Sequence, residues 1–85
     1  MIKVTNNSSD VIKVAINKWD EDCSTDFFSI ESNESDSWGR SNNLGYVMAL
    51  QKRASQATYY VLSDSEITVD DTSVKDNGRV ISPNL

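Results

Sequence analysis

The chain of 85 residues has no histidine, one cysteine (Cys23), one proline (Pro83) and three scattered glycines. Each absence removes a class of chemistry. Without histidine there is no imidazole to serve as a general base near neutral pH, and with one thiol a Cys/His zinc site is excluded. A lone cysteine cannot close an internal disulfide. Cys23 also stands among acids, which disfavour its thiolate, the opposite of what an activated nucleophile needs. Gly39, Gly45 and Gly78 lie too far apart to form a phosphate-binding loop. Nothing in the sequence singles out a glycosidase-like pair among the acids. No apolar run approaches the roughly 20 residues that span a bilayer as a helix. The chain reads as a non-enzyme without cofactor, metal or transmembrane segment.

Basic residues are also scarce. Lys and Arg number 8 against 13 Asp and Glu, for a net charge of −5. Nucleic acid requires a basic face, and anionic lipid is disfavoured for the same reason. The charges are segregated along the chain. From Asp20 to Asp36 every charged residue is acidic, whereas Arg40, Lys52 and Arg53 are the only charged residues between Arg40 and Leu62. A chain of this size buries roughly 60% of its unfolded surface, so residues 1–85 form a single domain with one modest core. Small cores without staples commonly gain stability from a partner subunit, which predicts a homo-oligomer. Met1-Ile2-Lys3-Val4-Thr5 enters a strand pattern without an apolar signal region, so a cytoplasmic protein with a reduced thiol is expected, with unconventional export as the alternative.

The sequence offers no helical periodicity. Instead, short alternating stretches recur every ten residues or so between Asn/Ser/Asp/Gly clusters, the pattern of an all-β protein. The expected strands are Ile2–Thr5, Val11–Trp19, Phe27–Glu31, a strand around Trp38, Gly45–Gln51, Ala57–Leu62, Glu66–Asp70 and Arg79–Ile81. Asn6–Asp10, Ser32–Ser35, Ser41–Asn43 and Asp76-Asn77-Gly78 supply turns, since Asn, Asp and Gly tolerate left-handed backbone. These elements predict a compact antiparallel β-sandwich of about seven or eight short strands. Its expected core is Ile12, Val14, Ile16, Phe28, Ile30, Tyr46, Met48, Leu50, Tyr59, Val61, Ile67 and Val69.

Both tryptophans fall out of phase with the apolar faces. Trp19 shares parity with Lys13, Ala15 and Asn17, and Trp38 shares its strand face with Asp36 and Arg40. A large aromatic on a polar face is a candidate binding platform. Asp36, Trp38 and Arg40 together offer an acceptor, a stacking surface and a donor, which suits an uncharged, hydroxyl-rich ligand such as a glycan. Trp19 is a second candidate surface. Asp20, Asp22, Ser24, Asp26 and Glu31 fall at the first, third, fifth, seventh and twelfth positions of a calcium-loop pattern. Thr25 occupies the place of the required glycine and the flanks read as strands, so the loop Asp20–Asp26 is expected not to require calcium.

The run Ile2-x-Val4-x-Asn6-Asn7-x-Ser9, then Ile12-x-Val14-x-Ile16-x-Lys18-Trp19, Phe27-Phe28-x-Ile30 and Ser35-Asp36-x-Trp38-x-Arg40 resembles small, single-domain, cytosolic-type β proteins of mushroom-forming fungi. The resemblance covers the first half of the chain, and the second half follows the same general plan. Proteins of this type and setting include fruit-body lectins and the lipid-binding aegerolysins. The resemblance implies a lectin-like, non-catalytic binder of carbohydrate, with an aegerolysin-like lipid or pore-partner binder as the alternative. A structural protein without a small ligand is the third reading. No functional residue is carried over from either group.

Overall fold

The computed structural model describes residues 1–18, 27–39, 45–53 and 55–83. These residues form nine strands: β1 (Ile2–Asn6), β2 (Ile12–Lys18), β3 (Phe28–Ile30), β4 (Ser35–Trp38), β5 (Tyr46–Lys52), β6 (Ser55–Val61), β7 (Glu66–Val69), β8 (Val74–Asp76) and β9 (Arg79–Ile81). They build two sheets, a five-stranded one in the order β4-β1-β7-β8-β9 and a four-stranded one in the order β3-β2-β5-β6. The fold is an all-β sandwich. Among the described residues no helix is long and apolar enough to cross a membrane.

Two features go beyond the expected strand plan. Val74–Asp76 is a ninth strand, made by the left-handed pair Asn77 (φ 50°) and Gly78 (φ 85°), which folds Asp76 back onto Arg79. Asn-Gly is the preferred pair for such a two-residue hairpin turn, because both central positions need positive φ. In addition, β1 and β7 run parallel, with Val4 opposite Ile67, whereas every other described pair is antiparallel. A parallel neighbour needs a long crossover. Here the whole of β2 to β6 lies between the two strands.

The core forms where alternation directs it. All the expected core residues are buried except Phe28, and Ile2, Val4, Trp38 and Val74 join them. Phe28 pairs with Val14 and so faces inward, but β3 is an edge strand and the ring is 52% exposed. Gly45 (φ 89°) enters β5 beneath the Tyr60 ring, where an added Cβ would sit 2.6 Å from Tyr60 Cζ. The aromatic ring thus covers a glycine that has no side chain of its own to pack.

Four polar residues are buried among those described, Asn6, Ser8, Asn17 and Ser65, and Asn6 holds the densest set of bonds. Asn6 continues the inward parity of Ile2 and Val4 and is fully buried. Its Nδ2 donates to the carbonyls of Asp10 (2.7 Å) and Ile30 (2.9 Å), and its Oδ1 accepts from Ser8 N (3.0 Å) and Ser8 Oγ (2.6 Å). Removing the amide would take a donor from the carbonyls of Asp10 and Ile30 and the acceptor from the Ser8 amide, while Ser8 Oγ keeps its 3.2 Å bond to Asp10 O. Asn6→Ala should therefore lower the unfolding free energy by about 3 kcal/mol, since each orphaned buried group costs about 1–3 kcal/mol. Its exposed neighbour gives the control: Asn7→Ala, which loses only a 3.2 Å bond to Asp70, should cost about 0.5 kcal/mol or less. Urea denaturation of the two variants distinguishes these outcomes, and equal losses would contradict the role given to Asn6.

Candidate functional site

The sites expected from sequence fare unequally. Trp19, Arg40 and the loop Asp20–Asp26 lie outside the described residues. Asp36 is exposed, with Oδ1 accepting from Ser37 N (2.9 Å). Trp38 is only 7% exposed and belongs to the core, which corrects its expected place as an open stacking platform. The reason is the register of β4. Trp38 lies opposite Ile2 and Asp36 opposite Val4, and residues paired across an antiparallel ladder share a face. Trp38 and Asp36 do share a face, but it is the one turned toward the other sheet. Alternation gave their relation to each other, not which side of the sheet they occupy.

At that edge the Trp38 ring meets Phe28 edge-on, with centroids 6.2 Å apart and planes at 69°. This is a favourable aromatic geometry, and it closes the gap between β3 and β4. The consequence for Trp38 is measurable. Trp38→Ala should destabilise the protein by about 3–5 kcal/mol, the usual cost of truncating a buried aromatic. An unchanged melting temperature would contradict the burial.

Among the described residues the opposite side of the sandwich is open. Between β6 and the β8–β9 hairpin lies a cleft of about 450 Å³. Leu50, Ala57, Tyr59, Val69, Val74 and Ile81 provide its apolar lining. Lys52, Gln56, Asp70, Asp71 and Ser73 add polar groups around it. Lys52 holds the inward parity of Met48 and Leu50 at the end of β5, opposite Ile12. Its ammonium donates to the carbonyls of Asp70 (3.0 Å) and Asp71 (2.8 Å). These contacts tie the end of β5 to the turn after β7. The Tyr59 hydroxyl has no hydrogen-bond partner among the described residues, and burial pushes its pKa above the usual 10.0, so it stays protonated. Sequence reasoning placed Tyr59 in the core and gave Lys52 no role. The continuation of the Met48-Leu50 parity into Lys52 was the signal that could have found it.

Polar contacts fix the loops at this end. Arg53 Nε donates to Asp10 Oδ2 (2.8 Å), and Lys75 lies 3.5 Å from Asp70 Oδ2. Asp71 Oδ1 accepts from Ser9 N (2.8 Å) and Ser9 Oγ (2.9 Å). The Ser9 amide first and its hydroxyl second hold the Asp71 pKa below its ordinary 3.8, with Lys52 and Arg53 adding smaller attractions. A depressed folded pKa means that this contact is fully present above the ordinary value and is lost as pH falls through the lower folded value. In an NMR titration the Ser9 amide resonance should move with a midpoint below 3.8, and Asp71→Asn should abolish the movement. A midpoint at or above 3.8 would contradict the contact.

No protein-family model matches the chain, and comparison with curated proteins and with solved structures finds no match either.

Proposed function

We propose that the protein is a non-catalytic carbohydrate-binding protein that takes its ligand in the cleft between β6 and the β8–β9 hairpin. The cleft carries this reading by joining an apolar lining to a small set of hydrogen-bonding groups. Its volume falls within the range of sites for small molecules, roughly 300–1,000 Å³. Sugars present C–H faces that pack on Ala57, Val74 and Ile81, and hydroxyls that need both donors and acceptors. The Tyr59 hydroxyl, the Lys52 ammonium and the Gln56 amide supply donors, and the Gln56 and Ser73 oxygens supply acceptors. The acidic net charge suits an uncharged ligand. Trp38 holds the opposite side of the sandwich closed and takes no part in stacking.

The same proposal takes the chain as a homo-oligomer. One modest core without a disulfide gains from shared surface, and two clefts on one particle raise avidity for a polyvalent glycan.

A glycan array followed by calorimetry on the best ligand tests the binding. Tyr59→Phe removes one hydroxyl without changing the shape of the lining, so affinity should fall about tenfold while the melting temperature hardly moves. A protein retained by no glycan, or a Tyr59→Phe variant that binds as tightly as the parent, would remove the proposal.

A further inference from the structure

Asn6, Asn7 and Asn33 each precede a main-chain amide that is already committed. Asn7 N, after Asn6, donates to Val69 O (2.8 Å), and Ser8 N, after Asn7, donates to Asn6 Oδ1 (3.0 Å). Glu34 N, after Asn33, donates to Glu31 O (3.1 Å). Asn77 differs from all of them. It is the only asparagine in the chain that is followed by glycine. Both residues are exposed, and a Cβ added at Gly78 would meet nothing within 4 Å. The hairpin ladder closes between Asp76 and Arg79 and leaves Gly78 outside it. Among the described residues neither the Asn77 side chain nor the Gly78 amide makes a hydrogen bond.

We propose that Asn77-Gly78 is a self-modification site, at which the chain converts its own asparagine to isoaspartate with water as the sole co-reactant. The Gly78 amide nitrogen attacks Asn77 Cγ, the new N–C bond closes a succinimide ring, and the Cγ–Nδ2 bond breaks. Nδ2 leaves as ammonia, carrying the proton lost by the Gly78 amide. Glycine suits the attacking position because no Cβ crowds the approach. Ring closure needs rotation about the Asn77 Cα–C bond, out of the left-handed turn (φ 50°). The turn can yield, since β9 has three residues and pairs with β8 alone among the described strands. Water then opens the succinimide at either carbonyl. Opening at the main-chain carbonyl routes the backbone through Asn77 Cβ and lengthens a turn whose geometry is set for two α-linked residues. The pairing of Asp76 with Arg79 is then lost, and β9 leaves the sheet. Val80 and Ile81 go with it, so a wall of the cleft opens. The reaction itself needs no ligand there.

The test incubates the full chain at mildly alkaline pH, which favours loss of the Gly78 amide proton, and follows each asparagine by peptide mapping with mass spectrometry. Replacement of the amide NH2 by OH should accumulate at Asn77 about tenfold or more faster than at Asn6, Asn7 or Asn33. An isoaspartyl methyltransferase with labelled methyl donor should mark the same peptide. Asn77→Gly keeps the left-handed turn and removes the reacting amide, so it should stay unlabelled with β9 in place. The isolated isoaspartyl product should lose hydrogen-exchange protection in β9 while keeping it in β2 and β5. Conversion at Asn77 no faster than at the other three asparagines would overturn the site. A labelled product in which β9 stays protected would overturn the release of the strand.

Discussion

The buried amide of Asn6 is the interaction on which the rest of the sandwich depends. Its side chain uses both donors and both acceptor directions, on Asp10, Ile30 and Ser8. Its main chain is equally committed. Asn6 N donates to Glu34 O (2.8 Å), and Asn6 O accepts from Asn33 N (2.8 Å). Ser32 Oγ adds a bond to Ser8 O (2.6 Å). One residue of the five-stranded sheet therefore binds the end of β3 in the other sheet and the turns on either side. A buried amide is tolerated only when all its groups are satisfied, and here they are. The requirement that makes the site costly to disturb also makes the geometry specific, because few placements of β3 and of the Asn33 turn satisfy every group at once.

With β3 and β4 held in this way, Phe28 and Trp38 are brought together across the gap between the sheets and that side closes. Among the described residues the other side has no equivalent. β6 and the β8–β9 hairpin approach without a connecting turn, and the cleft lies between them. The loops above it are held by charged groups on the surface, Arg53 with Asp10 and Lys75 with Asp70. Exposed pairs of this kind contribute little stability, typically about 0–1 kcal/mol. The closed side thus supplies rigidity, and the open side is left with room for a ligand.

Much of this architecture was legible in the sequence because strand alternation is a local signal. The strands from Ile2 to Ile81 other than Val74–Asp76, and nearly all of the core, followed from period-two patterning. What escaped depended on neighbours far along the chain. Asn6 looked like a turn residue, although it is in phase with Ile2 and Val4, because its partners at Ile30, Asn33 and Glu34 are remote. Trp38 was given the right parity and the wrong side of the sheet, since only the pairing with Ile2 fixes which face is inward. Phe28 was read as core because alternation cannot tell an edge strand from a central one. The cleft was illegible for the same reason: its walls come from β5, β6 and the segment from Val69 to Pro83, which the sequence does not join.

The central claim is that binding belongs to the open side of the sandwich and not to its tryptophan-closed side. The most direct measurement is an amide-resolved NMR titration with a bound glycan. The account predicts shifts concentrated at Gln56, Ala57, Ser73 and Ser82, with the Trp38 indole and the Asn6 and Ser8 amides unmoved. Shifts centred on Ser35–Trp38, with the residues of the cleft silent, would contradict it.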